Sequence, residues 1–310
     1  MPVRKVIAQS LILCVWLTVA CVCSFAQSKT SQEQVLEIPF DFYRNEIILQ
    51  VKVNGKGPFN MLLDTGTDPS VIDLTTAREL GLKLQPLDRR ATGGGTEANL
   101  IYRTSLPVVE VGPLKAKNLE TVAIDLSKMS ARLGKPLHGV LGHSLLNGRI
   151  VQIDYANRIV RLYSRSPFSK AAAQSNTSKL TVLSFRYDDN VLVDDVFVNG
   201  KKVGANLDTG SDGGFKLTPA AVSYLGLEEE FDRARTTTAV GFNGLSENRE
   251  GKVGNVTIGR ISVDAPAVEF FGKGTGRDKK PWGLNIGNAF LKDFVVTIDY
   301  RSKLLILEKP

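Results

Sequence analysis

The chain has 310 residues, of which 43% are hydrophobic and 23% charged, and its formal net charge is +7. That length accommodates two domains of ordinary size, each able to bury its own core. The basic excess is mild and dispersed, with Arg89-Arg90 and Arg277 plus Lys279-Lys280 as its main clusters. No aromatic residues interleave with them as in a nucleic-acid groove, so a solvated surface is the better reading and no nucleic-acid partner is expected.

In chain order, the first predicted element is an export signal over residues 1–26. Arg4 and Lys5 form a basic start, Val6 to Phe25 is largely apolar, and Ser24-Phe25-Ala26 offers small residues to a signal peptidase. Cleavage leaves a periplasmic or extracellular chain from about Gln27, carrying +5 because residues 1–26 hold two cations and no acid. An uncleaved signal that tethers the protein to a membrane is the alternative. A lipid on Cys21 would need a Leu-led lipobox, which Thr18-Val19-Ala20 does not supply. Cys14, Cys21 and Cys23 are the only cysteines, so the cleaved chain has no disulfide, no thiol nucleophile and no thiolate metal site. Once cleaved, it is expected to make no stable membrane contact.

Residues 27–163 and 180–310 read as two similar halves, separated by a small, polar linker at 164–179. In the first half, Glu46 to Val53 shows partial strand alternation, Asn54-Gly55 marks a turn, and the apolar run Phe59 to Leu63 ends in Asp64-Thr65-Gly66. A short helix follows, with Asp73 as cap and Gly81 as stop, then the glycine-rich Thr92-Gly93-Gly94-Gly95-Thr96, then β-rich Arg149 to Tyr163.

The second half repeats the order. Asn190 to Val198 reads as a strand, Asn199-Gly200 as a turn, and Ala205 to Leu207 runs into Asp208-Thr209-Gly210. Thr218, Pro219 and Gly226 mark a helix, Gly241-Phe242-Asn243-Gly244 a glycine-rich turn, and Asp293 to Glu308 another β-rich end. Each half is therefore expected to be a β domain with one short helix. The glycine-rich segments suit mobile flaps that close on an extended peptide; plain hairpin turns are the alternative.

Four matched segments share one offset. Val53-Asn54-Gly55 recurs as Val198-Asn199-Gly200, Leu80-Gly81-Leu82 as Leu225-Gly226-Leu227, Gly142 as Gly287, and Ile153-Asp154-Tyr155 as Ile298-Asp299-Tyr300, all 145 residues apart. The two Asp-Thr-Gly triplets are 144 apart. So long a period is a duplicated domain, since solenoid units repeat every 20 to 50 residues or about that.

Duplicated aspartates suggest one chemistry. Two carboxylates held about 3 Å apart by a pseudo-twofold axis cannot both ionise, so they share a proton and hold a water, one acting as base and the other as acid. Gly66 and Gly210 would let the backbone turn and bring amide N–H groups to the carboxylates. Thr67 and Ser211 each carry a hydroxyl that could donate to the ionised pair, which predicts lowered apparent pKa values and an acidic optimum.

Other motifs lead nowhere. Gly142-His143-Ser144-Leu145-Leu146 lacks the closing glycine of a nucleophile elbow. His138 and His143 are the only histidines and have no cysteine beside them, so no metal site is expected. Gly272, Gly274 and Gly276 alternate near Lys273 and Arg277 without the spacing of a phosphate cradle, and read as an ordinary loop.

These residues resemble the aspartic peptidases of the pepsin and retropepsin type, and most closely the exported bacterial proteins that carry two retropepsin-like halves in one chain. The likeness runs from about Leu36 to Tyr163 and from about Leu180 to Glu308. It implies an all-β fold of two pseudo-symmetric acid-protease lobes, with Val140-Leu141-Gly142 and, less typically, Asn285-Ile286-Gly287 packed beneath the catalytic loops. By the same resemblance, Thr65 and Thr209 cross the lobe interface, while Asp68 and Asp212 help to hold substrate backbone. Gly93, Gly94 and Gly95 in one flap and Gly241, Phe242 and Gly244 in the other would cover the substrate. Two similar flaps favour the retropepsin arrangement over the single flap of pepsins.

The implied activity is that of a monomeric aspartic endopeptidase. Asp64 and Asp208 would activate a water against a peptide or protein lying extended between the lobes, with no metal, no cofactor and no covalent intermediate. A processing enzyme devoted to one partner is a narrower form of that reading. A peptide-binding or scaffold protein that keeps the fold without turnover is the alternative.

Overall fold

The computed structural model describes residues 35–90, 100–168, 179–242, 244–272, 277 and 280–310. The export signal, Gly93, Gly94 and Gly95, Asn243, and residues 169–178 of the linker lie outside the described residues.

The local chemistry of the turns organises each half. Glu46–Val53 buries Ile47, Ile48, Leu49, Val51 and Val53, and folds back on Lys56–Leu63 through Asn54 and Gly55, whose φ angles are 52° and 77°. That is the left-handed pair a two-residue hairpin needs. Asn199 and Gly200 repeat it with φ of 49° and 75°, joining Val196–Val198 to Lys201–Lys202. The single strand expected over Asn190 to Val198 is interrupted: Val191–Val193 and Val196–Val198 belong to different sheets. Asp194 and Asp195 between them are both exposed, and two successive charges that each need water cannot alternate across one half-buried strand.

The helix signals act where they were read. The Asp73 carboxylate accepts from the N–H groups of Thr75 and Thr76 at 3.0 Å each and opens the helix Leu74–Glu79. Thr218 Oγ1 accepts from the Ala221 N–H at 3.1 Å and opens Pro219–Leu225, which Gly226 ends with φ of 74°. Among the described residues each half nevertheless has three helices rather than one, with Ser127–Leu133 and His143–Leu146 in the first and Glu228–Arg233 and Asn288–Leu291 in the second. The two four-residue helices are single turns that carry no period. The other two follow Leu126 and Leu227, which provide no capping side chain and so no start signal.

Both halves build the same crossing. Lys56–Leu63 runs parallel to Gly139–Leu141, which is antiparallel to Ser70–Asp73; Ala205–Leu207 runs parallel to Leu284–Ile286, which is antiparallel to Phe215–Leu217. The halves then share a sheet in the order Val35–Pro39, Ile159–Tyr163, Ile150–Asp154, Val295–Asp299, Leu304–Glu308, Leu180–Tyr187. At its centre Gln152 faces Thr297, its own counterpart 145 residues on, and Gln152 Nε2 donates to Thr297 Oγ1 at 3.2 Å. An antiparallel pair of equivalent residues marks where the pseudo-twofold axis passes.

A continuous apolar core spans both halves, from Ile38, Ile47 and Leu49 to Phe270, Ile298 and Leu305. The result is an all-β, two-lobed architecture of the acid-protease kind, as the resemblance implies.

Candidate active site

Each aspartate sits where a parallel ladder stops. The Asp64 N–H donates to the Leu141 carbonyl at 3.0 Å and the Asp208 N–H to that of Ile286 at 2.9 Å, after which both chains turn away from the sheet. The neighbouring strand ends support the loops from beneath. A Cβ on Gly142 would stand 2.3 Å from the Thr67 carbonyl oxygen, and one on Gly287 2.4 Å from that of Gly213. His143 and Asn288 donate their N–H groups to the carbonyls of Thr67 and Ser211, both at 2.8 Å.

The triplet glycines serve close approach rather than a left-handed turn, since neither Gly66 nor Gly210 has positive φ. A Cβ on Gly66 would lie 2.9 Å from Asp208 Oδ1, and one on Gly210 2.3 Å from the Asp64 carboxyl carbon. Each glycine leaves room for the carboxylate of the other lobe. Their N–H groups donate to Asp64 Oδ1 at 2.7 Å and to Asp208 Oδ1 at 3.0 Å.

The threonines between bind the two loops together. Thr65 Oγ1 donates to the Leu207 carbonyl at 2.7 Å and accepts from the Thr209 N–H at 3.1 Å; Thr209 Oγ1 donates to the Leu63 carbonyl at 2.9 Å and accepts from the Thr65 N–H at 3.0 Å. All four bonds cross the interface and both side chains are buried.

The symmetry breaks at the outer carboxylate oxygens. Thr67 Oγ1 donates to Asp64 Oδ2 at 2.5 Å, whereas the buried Ser211 Oγ has no partner among the described residues. Asp208 Oδ2 accepts instead from Asn285 Nδ2 at 3.0 Å, and Asn285 Oδ1 accepts from Asn206 Nδ2 at 2.7 Å. These asparagines replace Leu62 and Val140 of the first lobe; the resemblance implied Asn285 only as part of the segment beneath the catalytic loop, not as a donor to Asp208, and Asn206 had no expected role. The one signal available was a pair of polar residues in strand runs otherwise buried throughout, where an amide must find partners.

The expected lowering by paired hydroxyls is overturned at Asp64. Burial and the adjacent Asp208 carboxylate push Asp64 up to about 7, against the donors Thr67 and Gly66. Desolvation of a buried carboxylate beside a second one outweighs one hydroxyl and one amide.

Asp68 and Asp212 border the same cleft and are tied across the interface. Asp68 Oδ2 accepts from the Tyr187 hydroxyl at 2.9 Å and lies 3.3 Å from His143 Nδ1, whose ring stacks on Tyr187. Asp212 pairs with Arg132 of the first lobe at 2.5 Å and with Lys216 at 3.5 Å. Against burial, which acts the other way, Lys216 and Arg132 hold the Asp212 carboxyl below its ordinary range. Arg132 also reaches Glu46 at 2.7 Å, a fully buried acid that desolvation pushes well above the usual carboxylate range despite that partner. His138 accepts from the Asn60 N–H and packs on Phe59, a structural role.

Arg235–Gly241 and Gly244–Lys252 form a hairpin with Gly241 opposite Gly244, the latter at φ of 83°. Its Phe242 crosses to the first lobe and packs on the apolar cluster that includes Ile101, Ile124 and Met129. Gly241 and Phe242 line a cavity of about 470 Å³ together with Asp64, Asp208, Asp68 and Asp212.

Compared with protein families, the chain matches the model described as Aspartyl protease over residues 49–145 and 195–284, more than half its length and one Asp-Thr-Gly in each region. A search of curated proteins returned no match.

Proposed function

This chain belongs to the aspartyl protease family, and from that premise we propose that it is an endopeptidase in which Asp64 and Asp208 share one proton and activate a water. The observation that carries the reading is the convergence of the two carboxyls: a Cβ on Gly66 would stand 2.9 Å from Asp208 Oδ1 and 3.3 Å from Asp64 Oδ1, and each carboxyl is held by the amide of its own triplet glycine. Asp64, raised to about 7, keeps the shared proton under acid conditions and gives it to the scissile carbonyl oxygen. Asp208 takes a proton from the water as its oxygen bonds to the carbonyl carbon. When the tetrahedral species collapses, the C–N bond breaks, Asp208 passes its proton to the departing amine, and Asp64 recovers one from the diol.

An extended peptide in the cavity between the lobes would lie beneath the hairpin tip at Gly241, Phe242 and Gly244, with Asp68 and Asp212 at its flanks. Closure of that hairpin excludes water other than the attacking molecule. Both aspartates come from one chain, so the site needs no second copy. Residues 1–26 place the enzyme outside the cytoplasm in this reading.

The test is digestion of an unfolded protein at pH values from about 3 to 8, with and without a statine-type inhibitor, alongside Asp208→Asn. Cleavage that the inhibitor blocks and the substitution abolishes is expected; activity that survives Asp208→Asn sinks the dyad.

A further inference from the structure

The two walls of the cleft are built on one plan from opposite chemistry. In the first lobe Val71 faces Val122 and Val140 in adjacent strands; at the same positions of the second, Lys216 faces Glu269 and Asn285. An apolar wall therefore stands opposite a polar one beside the same two aspartates. Most charges in the polar wall are answered internally: Lys216 Nζ lies 3.5 Å from Asp212 and 3.6 Å from Glu269, and Glu269 also accepts from Asn248.

Arg277 is different. Its guanidinium lies 4.3 Å from the centre of the Phe271 ring and 5.7 Å from that of Trp282, two rings that meet edge-on, and it forms no ion pair among the described residues. Its Nε is buried without a partner among the described residues, and so is the indole Nε1 of Trp282, which is 4% exposed. Both side chains line the cleft with Asp208 and Asn285, and Lys280 stands at the same wall. Two buried donors without an acceptor are costly unless something supplies one. A guanidinium packed against two aromatic side chains presents a fork whose shape matches a carboxylate, and part of its freedom is already lost before binding.

We propose that this wall is a carboxylate subsite, with Arg277 and the Trp282 N–H as its donors, so that the protein recognises peptides carrying an acidic group beside the bond to be cut. The proposal rests on the endopeptidase reading only for the cutting; the subsite itself is a statement about binding. Asp64, Asp208 and Glu269 are the acids that face Arg277, and Lys216 and Lys280 the other cations. The carboxylate can belong to an internal Asp or Glu side chain or to a chain terminus.

The experiment compares peptides with an apolar residue on one side of a central bond and Glu, Gln or Lys on the other, in both orders. One set is amidated and one ends in a free carboxylate. With the full chain, kcat/KM for Glu should exceed that for Gln by about tenfold, the scale of a charge-assisted against a neutral hydrogen bond. The ratio should fall toward one near pH 3, where the substrate acid is protonated, since free glutamate titrates at about 4.3. Preference confined to the free-carboxylate set assigns the subsite to a chain terminus.

Binding of the same peptides, fluorescently labelled, to Asp64→Asn reports the ranking without turnover. Arg277→Met should erase it, and Trp282→Phe, which keeps a ring beneath the guanidinium and removes only the N–H, should reduce it even if Arg277→Met fails to fold. Equal binding and equal cleavage of Glu and Gln peptides overturn the subsite and leave the endopeptidase standing. Glu-selective binding with no cleavage by the unsubstituted chain does the reverse.

Discussion

Asp64 sets the pH behaviour of the site. In the proposed mechanism the productive pair holds one proton, which is lost as pH rises through the raised value of Asp64, so kcat/KM is expected to fall on the alkaline side with a midpoint near 7. Thr67 opposes the rise by donating to Asp64 Oδ2; in Thr67→Val that limb should move to higher pH. A pH–rate profile of both proteins checks the two statements. The same group tunes stability. Its folded value lies above the unfolded 3.8, so the folded state holds the extra proton between those values, and stability falls as pH rises from about 4 to 7. Asp64→Asn is therefore expected to be inactive yet more resistant to urea than the parent at pH 8, by a few kcal/mol or roughly that, and similar to it at pH 4.

At the scale of the elements, the two triplet loops are held by hydrogen bonds rather than by apolar packing. Thr209→Val fills the same space but strands the Leu63 carbonyl and the Thr65 N–H, both otherwise bonded to Thr209 Oγ1. Each buried orphan costs about 1–3 kcal/mol, and the loops lose the registry that holds the carboxyls together. Chemical denaturation should show the loss, with activity falling further than stability explains; Thr209→Ser should keep most of both. Gly210→Ala tests the close approach separately. Its Cβ would lie 2.3 Å from the Asp64 carboxyl carbon, so peptide hydrolysis should be abolished while circular dichroism still reports a β fold.

Across the whole molecule, the lobes are joined by the shared sheet and by charges that reach over the cleft. Arg132, on a short helix of the first lobe, bridges Glu46 and Asp212. Removing it leaves Glu46 buried without its cation. Arg132→Met is expected to cost about 3–5 kcal/mol at neutral pH, as for other buried pairs broken on one side. The cost should shrink in acid, where Glu46, already raised well above its ordinary value, takes up a proton. Adding Glu46→Gln to Arg132→Met should restore part of the loss, and denaturation midpoints of the single and double variants measure it.

What could be read from the sequence was local or repeated. Asp-Thr-Gly twice in matching positions, the 145-residue offset, and the caps Asp73 and Thr218 depend on neighbours a few residues away, so they survive translation into structure unchanged. The tertiary structure alone decided which partners meet over long separations. Asn285 reaches Asp208 across 77 residues and Arg132 reaches Asp212 across 80; strand register and lobe docking set both, and neither leaves a spacing in the sequence. Arg277 lay in a glycine-rich stretch with no motif, and only the fold placed it against Phe271 and Trp282 in the cleft with the aspartates. The protonation of Asp64 belongs to the same class. The sequence supplies the hydroxyl that lowers it, but desolvation is a property of everything packed around a carboxyl, and here it prevails.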